Sequence, residues 1–261
     1  MNDLVLRLPT LAGEELLAFV LVAARVGGLF AFAPVFSSTL IPLRVRVVAA
    51  GALALAISPV ASRQVGLPAG AGAIAAAIAK EILVGLALAF AVGIVLAAVH
   101  AGAALIDAVV GFSFAQIVDP FTSVQAAAFG QLYAMFATVV LLLTGGDRMM
   151  IAGLADSYRI VPLDGYPHLA TLGAIATHGF ASVFLLALEL TAPVVIALIV
   201  TDAGLALIAR AAPQMNVFVV GLPAKIAVAL ALSAASLPFV ATRLEGGIES
   251  SLLDALRLLG R

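Results

Sequence analysis

The sequence predicts an all-α integral membrane protein with about six hydrophobic segments. Three observations carry this. Of the 261 residues, 64% are hydrophobic and only 10% charged, with a mean hydropathy of +1.23, whereas soluble domains carry about 25% charged residues. That leaves too little polar surface to cover a soluble fold of this size. Apolar runs at or beyond the ~20 residues that cross a bilayer also recur along the chain. Polar bends rich in proline and glycine separate them.

The first run extends from Leu16 to Phe36 and is closed by Pro34 and SSTLIP, residues 37–42. Glu14 and Glu15 precede it in place of a basic region, so it is expected to stay on the mature protein rather than be cleaved as a signal. The second run, Val45 to Ala61, lies between Pro42 and Pro68. From Ala71 to Gly111 no proline intervenes. A helix of that length measures roughly 60 Å, about twice a bilayer core. It must tilt strongly or stand partly outside lipid, and Lys80 and Glu81 near its start fit the second alternative.

A fourth run spans Val124 to Thr144 and stops at GGD, residues 145–147. DRMMIAGLADSYRIVPL, residues 147–163, mixes charge with apolar residues. It reads as a short amphipathic helix at an interface or packed on a partner. The fifth run, Leu169 to Ala211, is expected to break at Pro193. The last span covers Ile226 to Thr242, and the tail RLEGGIESSLLDALRLLGR reads as a charged amphipathic helix lying on a surface.

Two overlong hairpins therefore each carry a polar, proline-containing turn, at 111–123 and at 210–223. Inverted-repeat transporters show such echoes, which keeps secondary transport of a small solute open. Gly85, Ala89, Gly93 and Ala97 recur every four residues. Small residues at this spacing let backbones approach closely, within the chain or between subunits.

Several function classes are disfavoured. A net charge of −1 offers no basic surface for nucleic acid. With no cysteine, disulfides, Cys-ligated zinc, iron–sulfur clusters and thiol catalysis are excluded. There is no GxSxG, HExxH, phosphate loop or dinucleotide fingerprint. The expectation is a protein that is no enzyme and holds no cofactor or metal.

The informative residues are the polar ones in apolar runs. Arg25 interrupts the first run at a cost of roughly 3 kcal/mol at a bilayer centre. Glu81, Asp107, Glu189 and Asp202 are its candidate partners. A structural ion pair and a proton relay are both open. No pair of carboxylates sits at helical spacing beside a histidine, which favours the ion pair. His100, two turns before Asp107, reads as a helix-packing residue.

The bend GFSFAQIVDP comprises Gly111, Phe112, Ser113, Phe114, Ala115, Gln116, Ile117, Val118, Asp119 and Pro120. Irregular backbone cannot face lipid; it must be buried in protein or line a water-filled cavity. Phe112 and Phe114 on such a bend suit a closure that dewets a pore. A plain connecting loop at the membrane surface fits the spacing equally.

Several blocks occur in an order that carries a resemblance. They are RVGGLFAFAPVFSSTLIPLRVRV (25–47), EILVGLALAF (81–90), GFSFAQIVDP (111–120), LLTGGDRMMI (142–151) and APQMNVFVVGLPAKIAVAL (212–230). Together they are similar to the flagellar biosynthetic protein FliR family, which includes subunits of virulence type III secretion systems. The resemblance covers nearly the whole chain.

It implies an inner-membrane subunit of the flagellar basal body's type III export gate. Such a subunit assembles as a hetero-oligomer with FliP and FliQ and contacts FlhB and FlhA. Unfolded flagellar proteins would pass through the channel, powered elsewhere in the apparatus. The implied fold is a fusion of FliP-like (1–165) and FliQ-like (166–261) parts, built of long bent helical hairpins. Residues Gly111 to Pro120 would be the pore plug. The turn holding Pro213, Gln214, Asn216, Gly221, Pro223 and Lys225 would face the entrance and neighbouring subunits. Arg25 and Glu81 match recurrent family positions, with Asp107 and Glu189 as further charges for assembly.

Overall fold

The computed structural model describes residues 2–38, 41–61, 68, 70–112, 128–167 and 169–260. Among them are seven helices and no strand: α1 (Asn2–Phe32), α2 (Leu43–Ala61), α3 (Ala71–Val110), α4 (Ala128–Leu143), α5 (Gly146–Ile160), α6 (Leu169–Ala211) and α7 (Val217–Leu259). Five are long and apolar enough to cross a membrane, or six if α4 and α5 count as one bent span. Gly145, at φ 74°, joins that pair in the left-handed conformation that glycine adopts at little cost.

The predicted 40-residue α3 is continuous. Two other long elements differ from the sequence reading. Pro193 breaks nothing: α6 runs unbroken through it for 43 residues. A proline removes one backbone donor, a loss that the unbroken hydrogen-bonded turns before and after it outweigh in a helix of this length. The tail is helical, as expected, but has no break before it. It continues α7, also 43 residues, and buries Leu244, Ile248, Leu252 and Leu256.

The chain forms two compact units. The first contains Met1–Ile94, Gly145–Gly179 and Ile248–Arg261. Its core joins Leu21, Val22 and Val26 of α1, Val84 and Leu88 of α3, and Met150 and Leu154 of α5. Helix α5 was expected at an interface or on a partner, but its apolar face packs inside this unit. A Cβ added to Gly153 would meet Leu252 Cδ2 at 2.9 Å, so the α7 end closes tightly on α5. Helices α1 and α3 approach backbone to backbone: a Cβ on Gly28 would stand 2.7 Å from the Ile82 carbonyl, and one on Gly85 would collide with the Arg25 carbonyl.

The small-residue row on α3 thus divides. Gly85 and Ala89 are buried, Gly93 has nothing within 4 Å of an added Cβ, and Ala97 is exposed. Helix α2 buries only Ala54, while Leu43, Val48, Leu55 and Val60 are each more than half exposed.

The second unit contains Val95–Thr144 and Phe180–Gly247. Here α3 meets α6 at Gly102, where an added Cβ would lie 2.9 Å from the Ala187 carbonyl. Val99, Ile106, Tyr133, Leu141, Leu190 and Leu198 fill the core. His100 points outward and is exposed, so it does not pack within the chain as expected.

Candidate functional site

Two polar clusters stand out, one in each unit. In the first, Arg25 is fully buried and uses its guanidinium in three directions. Nε donates to Glu81 Oε2 at 2.5 Å, Nη1 to Ser157 Oγ at 2.9 Å, and Nη2 to the Val161 carbonyl at 2.8 Å. The Tyr158 ring covers the guanidinium, 4.0 Å from its centroid. Of the four candidate carboxylates, Glu81 is therefore the partner.

Lys80 completes the cluster. Its Nζ lies 2.7 Å from Glu81 Oε1 in a buried ion pair. It donates to the carbonyls of Pro162 (3.3 Å), Leu163 (2.7 Å) and Gly165 (2.9 Å). Lys80 is 5% exposed, enclosed by the protein itself. Two cations meet one carboxylate, leaving one positive charge in excess. The C-terminal end of α5 and the carbonyls of the turn that follows it balance this charge, as the negative end of a helix dipole does. No metal-holding group of three or more His, Asp or Glu occurs among the described residues.

The other carboxylates have separate duties. Asp202 Oδ1 pairs with Lys225 Nζ at 2.8 Å, and Glu189 with Arg243 at 3.7 Å on an exposed face. Asp107, 5% exposed, accepts from the backbone of α4: Phe129 N at 3.0 Å and Gly130 N at 2.9 Å. It is a helix cap rather than an ion-pair partner.

The second cluster gathers both predicted bends. Gly111 leaves α3 at φ 108°. Phe112 faces Phe129, ring centroids 6.2 Å apart. Ser113, Phe114, Ala115, Gln116, Ile117, Val118, Asp119 and Pro120 lie outside the described residues. A Cβ on Gly111 would come 3.9 Å from Leu222 Cδ1, so the base of the predicted plug neighbours the predicted entrance turn. That turn is shorter than 213–223. Pro213, Gln214 and Asn216 are exposed in it, and Asn216 accepts from Val219 N at the start of α7. Gly221, Pro223 and Lys225 already belong to α7. Gly221 packs on Leu205, whose Cδ1 would be 3.1 Å from an added Cβ.

Sequence reasoning missed Ser157, Tyr158 and the carbonyl-bearing turn 161–165. The available signal was the pair of polar residues on the inner face of an amphipathic helix, with a cation and a carboxylate of apolar runs still to be matched.

The family described as "Bacterial export proteins, family 1" matches residues 16–251. The flagellar biosynthetic protein FliR of Bacillus subtilis (strain 168) is 32% identical over 214 residues, 81% of this chain and 82% of that protein. FliR of Escherichia coli (strain K12) is 30% identical over 222 residues, 83% of each chain. The Yop proteins translocation protein T of Yersinia pestis is 29% identical over 221 residues, 83% of this chain and 84% of that one. The matched span runs from the start of the first apolar segment through most of α7, taking in both polar clusters, and the chain belongs to the bacterial export proteins of family 1 as a FliR-type member.

Proposed function

We infer that this protein is a core subunit of a flagellar type III protein export gate in the bacterial inner membrane. The family match over residues 16–251 carries this reading. The FliR proteins of Bacillus subtilis and Escherichia coli are 32% and 30% identical over more than four fifths of this chain, whereas the Yop proteins translocation protein T is 29% identical over 83% and the Surface presentation of antigens protein SpaR 31% over only 56%. The subunit assembles with FliP and FliQ, contacts FlhB and FlhA, and resides in the basal body. Unfolded flagellar proteins cross through the channel that it helps to line. It contributes structure and no bond chemistry.

In this reading residues 1–165 are the FliP-like part and 166–261 the FliQ-like part; the two 43-residue helices of the latter support the assignment. Gly111 to Pro120 forms the plug, with Phe112 and Phe114 as its apolar blockers. A narrow apolar ring leaves water without hydrogen-bond partners, so the pore dewets and ions stop. Pro213, Gln214, Asn216, Gly221, Pro223 and Lys225 face the entrance and the neighbouring subunits. The position of Leu222 beside Gly111 supports keeping these two bends in one functional region.

The decisive experiment is affinity purification from native membranes, with motility and filament growth scored after gene deletion. Co-purification with several membrane proteins and loss of filaments is the expected result. Loss of effector secretion with intact filaments would move the protein to the virulence branch. A monodisperse monomer that binds a small solute would support secondary transport instead. For the plug, deletion of 112–118 should leave assembly intact while the membrane leaks small ions.

A further inference from the structure

Between Glu15 and Glu81 the chain carries no acidic residue, yet Arg25, Arg44, Arg46, Arg63 and Lys80 lie in that stretch. Arg25 and Lys80 share the Glu81 carboxylate. Arg63 lies outside the described residues. Arg44 and Arg46 pair with no carboxylate among the described residues.

Both of these arginines stand in the first turn of α2, which holds no acidic residue. The amide end of the helix adds a partial positive charge at the same place. Each Cα–Cβ bond leans toward the N-terminus of its helix, which directs both long side chains off this end of α2. Arg44 is exposed. Arg46 is half-buried: its Nη2 donates to the Ser38 carbonyl at 2.9 Å, and its Nε is buried with no acceptor. A guanidinium held in this way loses little freedom when it meets an anion.

The rest of α2 indicates where that anion comes from. Its 19 residues measure about 28 Å, close to a bilayer core, and Leu43, Val45, Val47 and Val48 around the arginines all face outward. A soluble anion would use the arginines and leave this apolar surface bare. A phospholipid uses both, with its phosphate at the arginines and its acyl chains along the helix. A zwitterionic headgroup brings a cation of its own that offsets the attraction; an anionic headgroup does not.

We propose that Arg44 and Arg46 form a headgroup site for an anionic phospholipid whose acyl chains lie along α2. The bound lipid fixes the depth of this helix in the bilayer. The proposal stands on α2 alone and not on the export reading, so either can fail without the other.

The test uses the whole complex, purified from native membranes and placed in nanodiscs. A fluorophore on Val48→Cys reports on lipid beside α2, and the complex without that substitution gives the background. Nitroxide-labelled phosphatidylglycerol or phosphatidylcholine is the quencher. Phosphatidylglycerol should be preferred. The preference should fall about 5-fold in Arg44→Gln and up to about 30-fold in Arg44→Gln combined with Arg46→Gln, from about 1 kcal/mol per charge at an anionic surface and tenfold per 1.4 kcal/mol. Arg44→Lys keeps the charge and should keep the preference. Arg44 is exposed and unpaired among the described residues, so the single variant reads the site even if the double variant fails to assemble. Equal quenching by the two lipids in the native complex, or an unchanged preference in Arg44→Gln, would overturn the proposal. Absence of quenching by either lipid would also overturn it, by placing a protein subunit on this end of α2. Inorganic phosphate at matched ionic strength should leave the quenching unchanged; relief of quenching would mean a site for a soluble anion and would overturn the lipid assignment.

Discussion

Arg25 and Glu81 face each other at 2.5 Å with neither side chain exposed, and the carboxylate is shared with Lys80. The shared carboxylate makes the three residues unequal. Arg25→Ala leaves a balanced Lys80–Glu81 pair. Glu81→Ala leaves two buried cations and no anion.

Removing one partner of a buried pair costs about 3–5 kcal/mol. Both variants should therefore lower the amount of assembled complex, and Glu81→Ala should lower it more. Arg25→Lys should recover part of the loss, because an ammonium reaches Glu81 but cannot also serve Ser157 and Val161. Native gels of membrane extracts, quantified beside export, read both effects. Normal assembly of Arg25→Ala with failed export would favour a relay.

The glycine row on α3 gives a graded set. Gly85→Ala pushes a methyl into the Arg25 carbonyl, and backbone cannot move aside as a side chain can. Overpacking of this kind costs about 1–3 kcal/mol. Gly93→Ala meets nothing within 4 Å in the chain itself and should be neutral for its fold. Thermal stability of the purified complex distinguishes the two. A strong defect at Gly93 would place a neighbouring subunit there.

Leu252 sits against Gly153 and is 5% exposed. Leu252→Ala should cost about 2–5 kcal/mol. Removal of residues 248–261 should expose α5 and render α1 and α3 accessible to protease. A truncated chain as protease-resistant as the full one would show that the tail is dispensable for the unit.

Helix α2 has 19 residues, about 28 Å, close to the ~30 Å of a bilayer core, and it buries only Ala54. With no cysteine in the chain, spin labels can be placed singly on this subunit. Val48→Cys and Leu55→Cys should give mobile labels with high oxygen accessibility. Ala54→Cys should give an immobile one. Immobile labels at all three positions would seat a protein subunit, not lipid, on this face.

Much of the helix layout was legible because punctuation is local. Pro42, Pro68 and Gly111 bound α2 and α3 within a few residues of the observed ends. That the tail joins the last span in one helix was not legible, because Gly246, Gly247 and the charges around them are weak helix formers by propensity. Burial of Leu244, Ile248 and Leu252 overrides that preference. Arg25 was visible as an anomaly, since a charge in an apolar run needs a partner. Which carboxylate serves it was not visible, because Glu81 lies 56 residues away and three others matched equally well. The Lys80 site was hidden for a simpler reason. Its ligands are backbone carbonyls, and a carbonyl is written the same way under every residue.

The first compact unit draws on the beginning, middle and end of the chain. Synthesis is vectorial, at about 5–20 residues per second. Arg25 therefore enters the membrane seconds before Glu81, earlier still than the carbonyls of 161–165, and long before Ile248–Arg261 is made. Until then the nascent subunit displays a cation that the finished one conceals. An unneutralised arginine in an apolar helix is a mark that quality-control proteases and insertion chaperones can read.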